Sequence, residues 1–170
     1  MRESGQWFER KFEFAFSADL FPNLCVRLRG TPARVEEMLR GRSRELLTVR
    51  RAEKWSMQEQ VGHLLDLESL WNDRLSDFVE GRPHLSVADL QNRKTHETNH
   101  NAREIQDLLG EFRKARTSFT GRLDALEPTF FARTLLHPRL KQPMRLVDHL
   151  YFVAEHDDHH LAKIWAGLNR

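Results

Sequence analysis

The 170-residue chain is 39% hydrophobic and 31% charged, with a formal net charge of +2. That length suits one domain with a real core, and the interspersed, nearly balanced charges exert no pull toward nucleic acid or a membrane surface. The lone Cys25 excludes an internal disulfide framework, no apolar run approaches the roughly 20 residues that span a bilayer, and the charged, aromatic N-terminus (Arg2, Glu3, Trp7, Glu9, Arg10, Lys11) lacks the apolar stretch of a secretory signal, so the chain reads as cytoplasmic.

Residues 1–22 read as an N-terminal arm carrying Trp7, Phe8, Phe12, Phe14, Phe16 and Phe21. Phe12, Phe14 and Phe16 alternate with charged or small residues, a strand-like period that leaves a short strand and an extended arm both open. Either way the rings need cover, from the domain at 23–170 or from a second subunit in a homodimer. The expectation is that residues 7–21 are ordered and bury most of Trp7, Phe8, Phe12, Phe14 and Phe16.

Thr31-Pro32 predicts a helix start, with Thr31 as N-cap and Pro32 in the first turn. Val35, Met38, Leu39, Leu46 and Leu47 supply its apolar stripe, which Gly41 weakens. Ser56-Met57-Gln58-Glu59 is a capping box that opens a second helix running to about Glu80, stopped by Gly81 and Pro83. Met57, Val61, Leu64, Leu65, Trp71, Leu75 and Phe78 form its broad apolar face, and His63 lies on the flank of that face beside Leu67 and Leu70. Residues 84–100 read as a long polar connection with a short helix near 87–91. A third helix spans about 101–126 on the stripe Ile105, Leu108, Leu109, Phe112, Phe119 and Leu123. An irregular stretch follows, with Pro138 and Pro143 bounding it. The fourth helix runs from about Met144 to Leu168, and its core face is edged by His149, His156 and His160. Four amphipathic helices, with no strand signal after the arm, predict an all-α four-helix bundle with long crossover connections.

His156 and His160 are four residues apart, one turn on a helix, so both imidazoles can reach one metal ion. Two ligands make a poor site, and His63 on another helix is the best third. Such a set leaves a coordination position open, which suits a catalytic metal more than a structural one. Each imidazole must be neutral to bind, so affinity should fall below about pH 6.5. The bland reading is a row of helix-edge histidines satisfied by water. Glu59, one turn before His63, is a weak catalytic candidate already explained by the capping box. His96 and His100 read as a solvated pair, His159 as exposed, and His84 and His137 as having no partner. His149 reads as pocket lining or a group behind the ligands. Trp55, Trp71 and Trp165 read as core. Asp157 and Asp158 read either as groups that orient a ligand imidazole or as plain surface charges.

The pattern Trp55-Ser56-x-x-Glu59-x-x-x-His63-Leu64-x-Asp66-x-Glu68, with His156-x-x-x-His160 near the C-terminus, resembles the DinB-like (DinB/YfiT) superfamily over roughly residues 23–168. That resemblance implies a four-helix bundle holding a divalent metal ion, zinc or nickel, through His63, His156 and His160. It also implies an enzyme acting on a small molecule, either a thiol-dependent S-transferase using a low-molecular-weight thiol or a hydrolase. The alternative is a non-catalytic metal-binding or structural dimeric domain. The chain departs from the family where Leu161-Ala162-Lys163 follows His160 in place of the frequent Arg-Gly-Gln.

Overall fold

A computed structural model describes residues 7–52 and 54–169. Helices α1 (Phe21–Arg29), α2 (Thr31–Leu39), α3 (Arg44–Thr48), α4 (Met57–Glu80), α5 (Arg93–Glu97), α6 (Ile105–Asp124) and α7 (Leu146–Leu168) follow in order, with strands β1 (Thr134–His137) and β2 (Gln142–Arg145) just before α7. α1 and α2 run on as one rod, because Gly30 between them keeps helical backbone angles (φ −77°, ψ −13°). That rod, α4, α6 and α7 make an all-α four-helix bundle in which α4 packs on α6 and α7, and α1 packs on the same two helices. No helix among the described residues is long and apolar enough to cross a membrane.

The Ser56 capping box forms as the sequence predicts: the Ser56 hydroxyl accepts from the Glu59 N–H at 3.1 Å, and the Glu59 carboxylate accepts from the Ser56 N–H at 2.8 Å. Gly81, at φ +68°, ends α4 in the left-handed region that glycine enters most easily. Thr31, in contrast, is not an N-cap. It is the first residue of α2, and its hydroxyl donates to the Asp157 carboxylate at 2.8 Å. Pro32 has no N–H for the Leu28 carbonyl one turn back, and Arg116 donates to that carbonyl at 3.1 Å in its place.

Two connections differ from the sequence reading. The stretch bounded by prolines is a hairpin, with Thr134 opposite Arg145 and His137 opposite Gln142. Pro138 sits in its turn. Pro143 faces Leu136, whose own N–H and C=O point the other way toward Pro83 and Leu85, so Pro143 removes no ladder bond. The short helix expected near 87–91 forms instead at Arg93–Glu97. The Asp89 carboxylate accepts from the N–H groups of Gln91 and Arg93 (3.0 and 2.8 Å), which bends 89–92 into a turn before the helix.

The arm, lastly, forms no strand among its described residues, which begin at Trp7, and lies along α7. Ring centroids are 5.1 Å apart for Trp7 and Phe152, 5.0 Å for Phe12 and Phe152, and 5.3 Å for Phe16 and Tyr151. The Arg145 guanidinium fastens it by donating to the carbonyls of Phe14 and Phe16 (3.2 and 2.9 Å). Phe12 is buried and Trp7, Phe14 and Phe16 are half-buried, but Phe8 is 52% exposed, against expectation. Helix begins at Phe21, inside the stretch read as arm.

The apolar core is split in two. Leu24, Leu28, Trp71, Leu75, Phe78, Phe119, Leu123 and the first half of α7 fill one end, while Val35, Leu39, Val61, Leu64, Leu108, Phe112, Leu161 and Ile164 fill the other. Between them lies a layer of buried polar groups from every rod: Thr31, His63, Asp66, Glu68, Arg116, His156, Asp157 and His160. At its centre Arg116 donates to Glu68 Oε1 (2.9 and 2.6 Å) and to Asp157 Oδ2 (2.5 Å). Polar groups this deep persist only when paired, and they hold the helices in one register.

Gly62 shows how tightly that layer is built, since a Cβ there would lie 2.3 Å from the His100 ring. Gly62→Ala should therefore lower the free energy of unfolding by about 1–3 kcal/mol, read by urea denaturation, because the ring must move off a packed helix. An unchanged midpoint would show that His100 can shift freely.

Candidate metal centre

His63 projects from α4, and His156 and His160 from successive turns of α7, the neighbouring rod. One ring nitrogen from each of the three lies within 4.8 Å of the others. The Nε2 atoms of His156 and His160 are 3.1 Å apart. All three side chains are buried.

Hydrogen bonds behind the rings decide which nitrogen is free. Asp66 Oδ2 receives the Thr95 hydroxyl at 2.9 Å and His100 Nε2 at 2.9 Å. A carboxylate only accepts, so the single Thr95 hydroxyl proton is committed to it. The Thr95 oxygen must then accept from His63 Nδ1, 3.1 Å away, which leaves the lone pair of His63 Nε2 free. His160 Nδ1 donates likewise to Gln60 Oε1 at 2.6 Å, which frees its Nε2. His156 Nδ1 is buried without a partner among the described residues. Three neutral imidazoles, two of them with the far N–H engaged, are a donor set that borderline divalent ions take. Replacing Gln60 by Leu removes an orienting acceptor and should weaken metal binding by roughly 10–100-fold in competition with a chromophoric chelator. An unchanged affinity would mean that packing alone holds His160.

Burial pushes the His63 imidazole down to about 4, against a small opposing pull from Asp66, and it drives His156 and His160 well below the ordinary histidine value. The three rings are therefore neutral at pH 7. This moves the onset of proton competition from the ordinary value near 6.5 toward 4 for His63. The unfolded chain takes up these protons first, so stability from the neutral rings is complete above about 6.5 and is lost as pH falls toward 4. Metal-free protein should thus lose stability steadily across that window, by up to about 1.4 kcal/mol per pH unit for each such ring, in urea titrations at stepped pH. A flat profile between those values would show that the rings are already hydrated.

Several other residues sit where the sequence did not suggest. His100 is buried on Asp66, not solvated, whereas His96 is exposed as expected. His159 is buried, with its ring 5.6 Å from Trp7 and 5.3 Å from His160. His137 accepts from the Leu140 N–H and lies against Arg74, and the exposed His84 bridges to Leu136. His149 is fully buried near Trp71 and Phe78, with neither nitrogen partnered among the described residues.

Glu59 is no free base. Burial would raise its pKa, but Arg50, at 2.9 Å from both oxygens, and the Ser56 N–H outweigh that and hold it low. Asp157 is neither a surface charge nor a ligand support: it pairs with Arg116 in the core. Asp158, half-buried, bridges to Arg27 and Arg34. Trp71 is core, but Trp165 is half exposed, and Trp55 lies tilted against His63, with ring centroids 4.8 Å apart. Burial and the nearby Asp124 push the Cys25 thiol up to about 11, so it is not a reactive thiolate. Asp66 was visible in the sequence motif. Gln60 and Thr95 carried no signal there beyond their polarity.

The imidazoles open onto a cavity of about 1140 Å³. Its lining is largely aromatic and aliphatic near the histidines, with Trp7, Trp55, Leu67, Leu70, Trp71 and Phe152 among the residues. That volume accommodates a small organic molecule next to the ring nitrogens.

The family model described as the DinB superfamily matches residues 27–164. Among solved structures the chain is similar to that described as "YfiT from Bacillus subtilis is a probable metal-dependent hydrolase with an unusual four-helix bundle topology", at 20% sequence identity and a TM-score of 0.78, covering 94% of this chain and 91% of that one. No curated protein matches.

Proposed function

The chain belongs to the DinB superfamily, and from that premise we propose that it is a divalent-metal-dependent enzyme that activates a small thiol or a water for attack on a small electrophilic molecule. The observation that carries this reading is the meeting of three buried neutral imidazoles at the wall of a large apolar cavity. His63, His156 and His160 are the ligands in this reading, and zinc and nickel are the metals. When bound, the ion supplies Lewis acidity that lowers the pKa of a thiol or water in its open position.

The protein's own groups prepare that chemistry. Thr95, itself fixed by Asp66, and Gln60 hold two rings in the tautomer that presents Nε2. Trp71, Phe152, Leu67 and Leu70 keep bulk water from the reacting atoms and raise the strength of every charge interaction there. The nearby carboxylates are committed elsewhere: Glu59 to Arg50, Asp66 to His100 and Thr95, Glu68 and Asp157 to Arg116. A thiol, once ionised, needs no further base, so the pairing of these four carboxylates favours thiol transfer over base-assisted hydrolysis.

The test is metal analysis of the purified protein, followed by turnover assays on the zinc- and nickel-loaded forms. A panel of low-molecular-weight thiols with chlorodinitrobenzene reads S-transfer, and nitrophenyl esters read hydrolysis. Turnover that disappears on chelation and returns with metal is the expected result. Loaded protein inert in both assays would favour the second reading, a metal-binding domain without turnover.

A further inference from the structure

We infer that the end of the cavity away from the three histidines is an anion subsite, in which Arg139, Arg74 and His137 take the acidic head group of an elongated, otherwise apolar substrate. This rests on the proposed function for what happens at the other end of that molecule, but not for the binding of its head group.

Arg139 lies in the turn between β1 and β2 and lines the cavity. Its Nη2 is buried with no hydrogen-bond partner among the described residues, and its guanidinium carbon lies 5.5 Å from the Phe8 ring centroid and 5.8 Å from that of Phe152. A guanidinium held against two phenyl rings without a counter-ion is a costly arrangement, which an anion relieves.

His137 makes the same demand through its protons. Its Nδ1 accepts from the Leu140 N–H at 3.2 Å, so the one proton of the neutral ring sits on Nε2. Burial, together with the charges of Arg74 and Arg139, pushes this ring down to about 3, which keeps it neutral. Yet Nε2 lies 3.3 Å from Arg74 Nη1, a group that can only donate. Two donors thus face one another with no acceptor between them. An oxyanion within reach of both resolves the conflict, and a water would do so without balancing the charge.

Arg74 is buried and donates from Nε to the Ser86 carbonyl at 2.9 Å. Asp77, three residues on, acts on it only through space, since its carboxylate accepts from the Ser86 N–H at 2.6 Å and pairs with Arg82 at 3.5 Å. Among the described residues lining the cavity, Arg51, Arg74, Arg139 and Lys163 stand against the acid Asp89.

The Trp71 ring sets the length of the ligand. His63 and Arg74 are eleven residues apart, about three turns, so they share a face of α4, and the Trp71 ring lies between, its centroid 5.6 Å from the Arg74 guanidinium carbon and 5.8 Å from that of the His156 ring. Leu67, Leu70 and Trp71 from α4, with Phe152 from α7, line the space between. The substrate class is therefore a carboxylate or phosphate on an apolar stem long enough to put its reacting group at the histidines.

Calorimetric titration with phenylhexanoate, phenylhexylphosphonate and phenylhexanol tests this on the zinc-loaded and on the EDTA-stripped protein. The acids should bind about 10–100-fold more tightly than the alcohol in both forms, as charge-assisted hydrogen bonds require. The better of the two acids identifies the head group. Arg139→Leu should bring acid and alcohol to within roughly threefold of each other while zinc content and melting temperature stay as in the wild type. Arg139→Gln gives the same readout should the leucine disturb the turn. Equal binding of acid and alcohol by the wild type overturns the inference, as does a preference that survives both substitutions. A preference that vanishes on stripping also overturns it, because the acid would then be sitting on the metal. An acid preference in stripped protein stands even where no turnover is found, so the two readings fail separately.

Discussion

Replacing His63 by alanine is expected to take bound zinc from about one ion per chain to near none after dialysis, with the bundle still folded. His156 and His160 would remain, but both stand on α7, and two ligands from one helix hold an ion poorly. The lost ring is the whole contribution of α4 to the set. The same variant should lose the metal-dependent rise in stability, which for the wild type is about 4 kcal/mol when free zinc is about 1,000 times its dissociation constant. His159→Ala is the matched control. It removes a buried imidazole next to His160 that is not one of the three converging residues, so metal content should hold. Were the histidines merely satisfied by water, wild type and His63→Ala would carry equal and negligible metal.

Replacing Arg116 by methionine is expected to lower folding stability by about 3–5 kcal/mol, enough to unfold much of a protein of ordinary stability. Arg116 is 1% exposed, and it joins Glu68 to Asp157 and donates to the Leu28 carbonyl that Pro32 leaves open. Without it two carboxylates stay buried beside each other with no cation. Burial already pushes Glu68 up to about 7, even with the arginine pulling it down. The triple variant Arg116→Met, Glu68→Leu, Asp157→Leu should recover most of the loss, since removing all the charges removes the desolvation cost with them. Urea unfolding of the wild type, the single variant, the two intermediates and the triple variant reads the effect. A single variant within about 1 kcal/mol of wild type would mean that water reaches the layer.

The long helices were legible because each signal is local. An apolar stripe at helical period, a Ser56 capping box and a Gly81 stop depend on residues within a turn or two of each other. The His156 and His160 pair was legible for the same reason, since one helix fixes their spacing. His63 could be nominated from its place on the wheel and from the family motif, but its approach to the pair depends on how α4 packs on α7.

What remained hidden depends on groups far apart in the chain. Thr31 looked like a cap because threonine before proline usually is one, yet Asp157, 126 residues on, takes its hydroxyl. His100 looked solvated among polar neighbours, but Gly62 lets its ring press against α4 and Asp66 receives its proton. The hairpin was hidden by two prolines whose harmlessness depends on which way Leu136 turns its backbone. Local sequence thus sets the rods and the metal-ready pair, because propensity and periodicity act within a few turns. Bundle packing sets the buried charges, the orientation of each imidazole and the donors lining the cavity, because a buried polar group takes whichever partner the fold brings within about 3 Å.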